Sequence, residues 1–511
     1  MQITVDPAGL SAGDYYARIL VRSVVAPNSP QAITVVLNVR PAGSAGGTRV
    51  QPAGLLFTAP LNAPATIAPQ SILLGTFGAA AVSYTTKIAG QTGLFSVSPA
   101  SGTISPGKPI AIQVQPNVAG LARGVYLGSV AFTFSDNTAQ TVQILLVVTP
   151  GSAPRPAAPG VNTATCDPAK LLPVFTSFGT GFSITTGWPS PVEMRVIDDC
   201  AQPFTKGTVG VTFSNNDPAL TLSSLGDGRW AGTWQAQNTA SSVNISAAAQ
   251  SVDSLLTGSA QITGGLSKNA NPPPNVAAGG VLNAASYQLQ APLSPGSLIS
   301  IFGSLLAQGA VSAPALPLTS SLGGTIVTLA GRQLPLLYAG PDQVNAMIPY
   351  DLPINATHQL VVQRGTAISI PQPVSVLASQ GGVFTKDLTG RGLGIVVKVA
   401  NNGAQSVVGT DNPVTAFDAI VIYCTGLGDV TPRQIAGQET PVSPLSATVE
   451  SVKVTIGGID APVFFAGVTP GFTGLYQVNA FVPSGVTPGN AVPLVVTQSD
   501  RVGPAVTIPV R

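Results

Sequence analysis

The heptapeptide Gln343-Val344-Asn345-Ala346-Met347-Ile348-Pro349 returns 134 residues later as Gln477-Val478-Asn479-Ala480-Phe481-Val482-Pro483. Each copy follows a Gly-Gly hairpin signal, Gly323-Gly324 in the first case and Gly457-Gly458 in the second. An apolar strand lies between the hairpin signal and the heptapeptide in both copies. A repeat of this period indicates duplicated structural modules, so the architecture can be predicted from it.

The repeated amides have a predicted structural role. Gln343 and Gln477 are expected to hold a loop backbone in place by hydrogen bonds to buried carbonyl groups. Because both copies within one chain contain the motif, we interpret it as a requirement of the fold rather than as a ligand site.

The composition favours β-structure. Only 8% of the residues are charged, and the chain contains 56 glycines and 46 prolines. Glycine and proline cost about 1 and 3 kcal/mol in a helix interior, whereas they suit the tight turns between short strands. We therefore predict an all-β protein made of tandem immunoglobulin-like β-sandwich modules.

The charge and hydropathy exclude two classes of partner. The formal net charge is +2, and the charges are scattered, so we predict no nucleic-acid binding. The mean hydropathy is +0.37, but the apolar runs have the length of strands. No run of 18 or more apolar residues occurs, so no transmembrane segment is predicted.

Turn clusters and spacers divide the chain into five segments. The linker Thr149 to Gly160 is rich in proline, which predicts a semi-extended spacer, and Asn269 to Asn275 forms a second one. The predicted segments are a partial module at 1–41, a sandwich at 50–149, a sandwich at 165–265, a first repeat copy at 279–380, and a connector with the second copy at 381–511.

The first segment resembles only the later half of the module that follows it. Val5-Asp6-Pro7, Gly13 and Tyr16 match Val114-Gln115-Pro116, Gly124 and Tyr126. Half a sandwich cannot close a core, so we expect the natural protein to begin upstream. No signal peptide is recognisable at Met1, and we expect the export signal to belong to that upstream part.

Parts of the chain resemble four known families. Residues 98–107, SPASGTISPG, resemble bacterial BACON-like modules, and residues 196–215 with 226–234 resemble bacterial immunoglobulin-like domains of surface proteins. The order of motifs from Ile299-Ser300-Ile301-Phe302-Gly303 to Gln343-Val344-Asn345 resembles IPT/TIG-type folds. The whole repeated block resembles the C-terminal domain of large secreted proteins of Solibacter-type Acidobacteria. That resemblance implies a fold and export, but no activity.

The chain has three cysteines, of which two lie in one module. Cys166 and Cys200 are 34 positions apart, each at a turn boundary, so we predict a disulfide between them. Such a bridge stabilises by roughly 3–4 kcal/mol and indicates an oxidising compartment. Two unrelated reduced thiols are the alternative.

Few residues are suited to catalysis. The single histidine, His358, is expected in a solvated loop, and Cys424 is expected to be a small buried apolar residue. A nucleophile with its base would require these two residues to meet across two modules. The adjacent carboxylates Asp198 and Asp199 are predicted to lie in a strand-end turn with their charges in solvent. We therefore predict no enzyme activity within this chain.

Two binding features remain open. Ser214-Asn215-Asn216-Asp217 and Asp198-Asp199 supply oxygen donors for a structural calcium ion, although no EF-hand loop is present, and we predict no other cofactor. Trp230 and Trp234 lie four apart and share one face of a strand. They form core if that face is inward and a platform for sugar rings if it is outward.

These observations predict a non-catalytic, extracellular or cell-surface modular protein. It would act as a scaffold or spacer and adhere to an extracellular glycan or protein ligand. The alternative is an accessory C-terminal region of a larger secreted enzyme, such as a polysaccharide-degrading one, with its catalytic domain upstream of Met1.

Overall fold

The computed structural model describes residues 4–41, 43–44, 46–150 and 166–511. Every regular element within these ranges is a β-strand. The chain forms two compact units, one of Met1–Asp14 with Asn38–Pro272 and the other of Tyr15–Leu37 with Pro273–Arg511. The predicted all-β class is confirmed. From Gly151 onward, the predicted spacer to Gly160 lies outside the described residues.

The strands β1 (Gly13–Val21) and β2 (Gln31–Val39) pair in a sheet of their own. Residues 15–37 of this pair belong to the second unit. There the Thr34 hydroxyl donates to the Ser369 carbonyl at 2.8 Å. The described part of the predicted partial module is thus a two-stranded sheet bonded to the first repeat copy.

Module A, residues 48–149, is a sandwich of two sheets. Its strands are β3 (Thr48–Gln51), β4 (Gly54–Pro60), β5 (Gln70–Thr76), β6 (Val82–Gly90), β7 (Phe95–Ser98), β8 (Ser101–Ile104), β9 (Ile110–Pro116), β10 (Gly124–Phe134) and β11 (Ala139–Thr149). One sheet has the order β3-β5-β9-β7 and the other β4-β11-β10-β6-β8. Along β9, Ile112 and Val114 are buried on either side of the exposed Gln113, as expected when one face of a strand meets the core.

Module B, residues 166–267, has the same two-layer plan. Its strands are β12 (Leu171–Phe175), β13 (Phe182–Thr185), β14 (Pro189–Asp198), β15 (Gly207–Phe213), β16 (Leu220–Thr221), β17 (Ser223–Ser224), β18 (Arg229–Gln235), β19 (Val243–Ser251) and β20 (Thr257–Ser267). The sheets run β12-β14-β18-β17 and β13-β20-β19-β15-β16. The predicted disulfide is confirmed, since Cys166 and Cys200 are bonded.

Copy 1 of the repeat occupies residues 275–376. Its strands are β21 (Asn275–Asn283), β22 (Leu298–Ser304), β23 (Val311–Ser312), β24 (Ser321–Leu322), β25 (Thr325–Leu329), β26 (Arg332–Gln333), β27 (Leu336–Ala339), β28 (Gln343–Met347), β29 (Ala356–Arg364), β30 (Ala367–Ile368) and β31 (Gln372–Val376). The heptapeptide strand β28 lies between β22 and β27.

Copy 2 with its connector occupies residues 382–510. Its strands are β32 (Gly382–Val383), β33 (Val396–Val399), β34 (Gln405–Val407), β35 (Ala419–Thr425), β36 (Val430–Thr431), β37 (Ala447–Thr448), β38 (Val452–Ile456), β39 (Ile459–Ala461), β40 (Val463–Val468), β41 (Tyr476–Phe481), β42 (Gly489–Gln498), β43 (Arg501–Val502) and β44 (Val506–Val510). Here β41 lies between β35 and β40, which repeats the arrangement of copy 1. The connector strands β32 and β33 both pair with β35, so they extend the sheet of copy 2.

The two copies share part of one core. Met347 and Tyr350 of copy 1 belong to the buried cluster of copy 2. The Leu298 amide of copy 1 donates to the Thr425 hydroxyl of copy 2 at 2.9 Å. Each copy has a core of its own, and this contact packs the two copies against each other.

Candidate functional site

A groove lies between modules A and B within the first unit. It has a volume of about 530 Å³. Apolar side chains dominate its lining, among them Val125, Leu127, Leu172 and Val174. Its floor continues into a small buried cluster shared by the two modules, which contains Leu145 and Val174.

The walls of the groove include strand segments that lack a paired neighbour on one side. The ladder between β10 and β6 ends at Gly128, so Val125 and Leu127 continue β10 beyond its neighbour. On the other wall, β12 is the outer strand of its sheet. Leu127 is 69% exposed, a large value for a leucine within a strand. Apolar side chains beside such strand edges suit contact with an extended polypeptide.

Catalytic groups are scarce in the groove. Lys170 is the one side chain with a charge among the residues that line it. General acid–base chemistry needs a positioned acid and base, and the lining residues supply neither a carboxylate nor an imidazole. The described lining is thus an apolar surface with a single lysine.

The adjacent carboxylates serve the backbone at a strand end. Asp198 accepts hydrogen bonds from the amides of Cys200 at 2.9 Å and Gln202 at 2.8 Å. Asp199 accepts from the Ala169 amide at 2.9 Å. These contacts close the turn that carries Cys200 and join it to the chain next to Cys166.

The oxygens of Asp217 are engaged by protein donors. The side chain is buried and accepts from the Trp234 indole N–H at 2.9 Å and from the Asn238 side-chain amide at 3.0 Å. The backbone amides of Gln237 and Asn238 donate to it as well. Among the described residues, no group of three or more His, Cys, Asp or Glu side chains is placed to hold a metal ion. The structure thus gives Asp217 a role in joining loops, and a calcium ion would have to displace these donors.

Of the two alternatives for Trp230 and Trp234, the outward-facing platform for sugar rings is wrong. Trp230 and Trp234 do share one face of β18, but each is only 3% exposed. Trp230 stacks on Phe204 and Trp234 on Phe213, with ring centroids 5.5 Å and 4.2 Å apart. Their faces are covered because the shared side of the strand points into the module, so no ring is open to a sugar.

His358 does not lie in a solvated loop, which corrects that expectation. It is fully buried on β29, in phase with the buried residues Leu360 and Val362. Its Nε2 atom is 2.7 Å from the Pro353 carbonyl oxygen. Cys424 is buried on β35, in a different sheet, and burial raises the pKa of its thiol. A raised pKa disfavours the thiolate, which is the nucleophilic form.

Gln343 and Gln477 each donate a hydrogen bond to the asparagine two residues later in the same strand. The predicted acceptors, buried carbonyl groups of a loop, are therefore wrong. The Gln343 side-chain amide donates to Asn345 Oδ1 at 2.7 Å, and Gln477 donates to Asn479 Oδ1 at 3.2 Å. Residues i and i+2 of a strand lie on the same face, which brings each pair together. The i, i+2 spacing itself was a signal for this contact.

No protein-family model and no curated protein matches the chain. Solved structures match parts of it. The periplasmic chaperone SfaE is 13% identical, with 43% of this chain and 100% of that chain covered and a TM-score of 0.19. The YadV chaperone is 12% identical over 42% of this chain and 99% of its own, with a TM-score of 0.19. The fibronectin(III)-like modules of CbhA from Clostridium thermocellum are 11% identical over 43% of this chain and 95% of theirs, with a TM-score of 0.15.

The class of protein follows from the sheets. Within the described ranges the chain is an all-β protein of immunoglobulin-like sandwiches. No helix long and apolar enough to cross a membrane is found in those ranges.

Proposed function

We propose that this chain is a non-catalytic scaffold of an exported or cell-surface protein, and that the groove between modules A and B contacts a protein ligand. The observation that carries the proposal is the disulfide Cys166–Cys200 in a chain whose cleft is lined mainly by apolar side chains and by no carboxylate or imidazole. Disulfides persist in oxidising compartments outside the cytosol. Two sandwiches that share a small buried contact suit the presentation of a fixed surface.

A protein ligand fits better than a glycan. The tryptophans that suggested sugar stacking are buried, whereas the groove offers apolar side chains and strand edges. An extended polypeptide can use both, since its backbone pairs with a strand edge and its side chains fill the apolar surface.

Export is tested by trapping thiols in intact cells of the source organism. An alkylating reagent is added before lysis, and the cysteine peptides are then identified by mass spectrometry. We expect Cys166 and Cys200 to be recovered joined and the chain to be digested when protease is added to intact cells. A chain recovered with both thiols alkylated and protected from external protease would refute export.

The groove is tested by photocrosslinking in the same cells. A photoreactive amino acid replaces Leu127, and a matched variant carries it at Leu73 in the opposite sheet of module A, where the side chain is 50% exposed. We expect a discrete protein adduct from position 127 alone. Equal adducts from both positions, or none, would remove the groove from the proposal without bearing on export.

A further inference from the structure

The two repeat copies are equivalent residue by residue at one end of the heptapeptide strand. The Gly296 amide donates to the Ile348 carbonyl at 2.9 Å, and the Phe417 amide donates to the Val482 carbonyl at 2.8 Å. Both residues have a left-handed backbone, with φ of +74° and +73°. Phe417 in copy 2 therefore occupies the position of Gly296 in copy 1.

Two further positions correspond in the same way. Leu298 pairs with Met347 in copy 1, and Ala419 pairs with Phe481 in copy 2. The β27–β28 ladder shifts register between Leu336 and Tyr338, and the β40–β41 ladder shifts between Val463 and Phe465. The bulged residues are thus Leu337 and Phe464. Positions 296, 337 and 347 of copy 1 are matched by 417, 464 and 481 of copy 2.

In copy 1 this face is covered by copy 2. Met347 is 1% exposed, and its sulfur accepts hydrogen bonds from the Thr473 hydroxyl at 3.1 Å and the Gly437 amide at 3.4 Å. A Cβ atom on Gly296 would lie 2.2 Å from the Tyr476 hydroxyl oxygen. Leu337 packs against the core of copy 2. The face is therefore a protein–protein contact within the chain.

In copy 2 the same three positions are exposed phenylalanines, which we call the copy-2 face. Phe417 is 75% exposed, Phe464 is 55% and Phe481 is 42%. The rings of Phe464 and Phe481 lie 4.9 Å apart. A bulky side chain with positive φ is an outlier, so an exposed phenylalanine at 417 needs a reason beyond folding.

The exposed area is large enough for the centre of an interface. Taking about 200 Å² for each phenylalanine side chain, the three rings expose about 340 Å². Two such faces would bury about 700 Å², roughly two fifths of a standard interface of about 1,600 Å². Aromatic side chains at the centre of an interface commonly carry most of its affinity.

We propose that the copy-2 face binds the same face of a second copy of this chain about a two-fold axis. The equivalent face of copy 1 is itself a contact surface, and the copy-2 face consists of three exposed phenylalanines, so the identical face of a second chain matches it in chemistry. In every molecule the covering residues Gly437 and Thr473 are engaged by Met347. A head-to-tail repeat of the internal contact is therefore blocked, whereas a face-to-face contact is not.

Electrostatics permit this pairing. The net charge is only +2. Next to Phe417, Asp418 is paired with Lys398 at 2.7 Å, so this carboxylate brings no unpaired charge to the contact. A self-complementary apolar patch closes as a dimer under two-fold symmetry.

The test is sedimentation velocity of the full chain over roughly a thousandfold range of concentration. We expect a reversible monomer–dimer equilibrium, a dissociation constant raised at least about tenfold by Phe464→Lys, and a similar change with Phe417→Gly, which restores the residue type of copy 1. Phe77→Lys in module A, where the side chain is 68% exposed, should leave the equilibrium unchanged. Far-ultraviolet circular dichroism checks that each variant is folded.

Three outcomes would overturn the proposal. They are a wild-type chain that stays monomeric at the highest concentration, equal effects of Phe464→Lys and Phe77→Lys, and open-ended assembly beyond a dimer. Neither export nor the groove of modules A and B enters this experiment.

Discussion

Removal of the Cys166–Cys200 disulfide should destabilise module B by an amount that follows from its position. The bridge spans a sequence separation of 34 residues. Loop-closure entropy for such a span is about 12.6 cal/mol/K, which corresponds to about 3.8 kcal/mol at 25 °C. A double Cys166→Ser, Cys200→Ser variant avoids an unpaired thiol and should lose this amount of unfolding free energy.

Tryptophan fluorescence reports this change for module B alone. All three tryptophans of the chain, at positions 188, 230 and 234, lie in that module. The Trp230 indole N–H donates to the Phe204 carbonyl at 2.9 Å inside the core, so unfolding exposes it to water. With an m-value of about 1.5 kcal/mol/M in urea, the midpoint should fall by about 2.5 M.

Two controls make the result decisive. Cys424→Ser removes a thiol from copy 2 and should leave the tryptophan transition unmoved. A reducing agent should shift the wild-type midpoint toward that of the double variant and leave the double variant unchanged. A midpoint that moves by less than about 0.5 M on removal of both cysteines would refute the loop-entropy argument for this module.

Three further predictions concern other contacts. Asp217→Ala should destabilise module B by about 3–5 kcal/mol, measured by the same fluorescence assay, because several buried donors including the Trp234 indole lose their acceptor. Gly296→Ala should destabilise the repeat block by about 2–4 kcal/mol in calorimetry, because its Cβ would crowd Tyr476 and its φ is +74°. Burial acts to raise the pKa of Asp418, but hydrogen bonds from Lys398 and from Thr415 outweigh it and hold the pKa below its usual value. The stability that Asp418 provides is therefore full above an unfolded pKa of about 3.9 and is lost as the pH falls through the lower folded value, and Asp418→Asn should flatten this part of a stability–pH curve.

Each of these has its own comparison. Asp253→Ala, at an exposed turn of module B, controls for loss of a carboxylate and should leave the tryptophan transition almost unmoved. Gly324→Ala has φ of +77° with no atom within 4 Å of the added Cβ, so it isolates the backbone cost. If Gly296→Ala costs no more than Gly324→Ala, the crowding argument fails. A stability–pH curve that is the same for Asp418→Asn and the wild type would contradict the assigned role of Asp418.

Local chemistry allowed the strands and hairpins to be predicted. At Gly323-Gly324 and Gly457-Gly458 both glycines have positive φ, as the predicted two-residue turns require. The flanking residues pair directly, Leu322 with Thr325 and Ile456 with Ile459. A two-residue hairpin depends only on neighbours in the chain, so its sequence is sufficient to predict it.

The direction of a face could not be predicted in the same way. The four-residue spacing places Trp230 and Trp234 on one side of β18, but the spacing does not say whether that side faces the core or the solvent. The turn residues before His358 predict a loop, yet β29 begins at Ala356 and places His358 on the same buried face as Leu360. In both cases the sheet that packs against the strand decides which side is buried, and the strands of that sheet are distant in sequence.

Strand alternation and glycine conformation act over a few residues, so the strands and turns around the duplicated heptapeptide could be predicted from the residues alone. Packing between distant parts of the chain covers Met347 and leaves its counterpart Phe481 42% exposed. The two positions belong to nearly identical heptapeptides, and what differs is the protein packed against them. Coverage of a side chain depends on contacts between residues far apart in the chain, and a local pattern carries no information about those contacts.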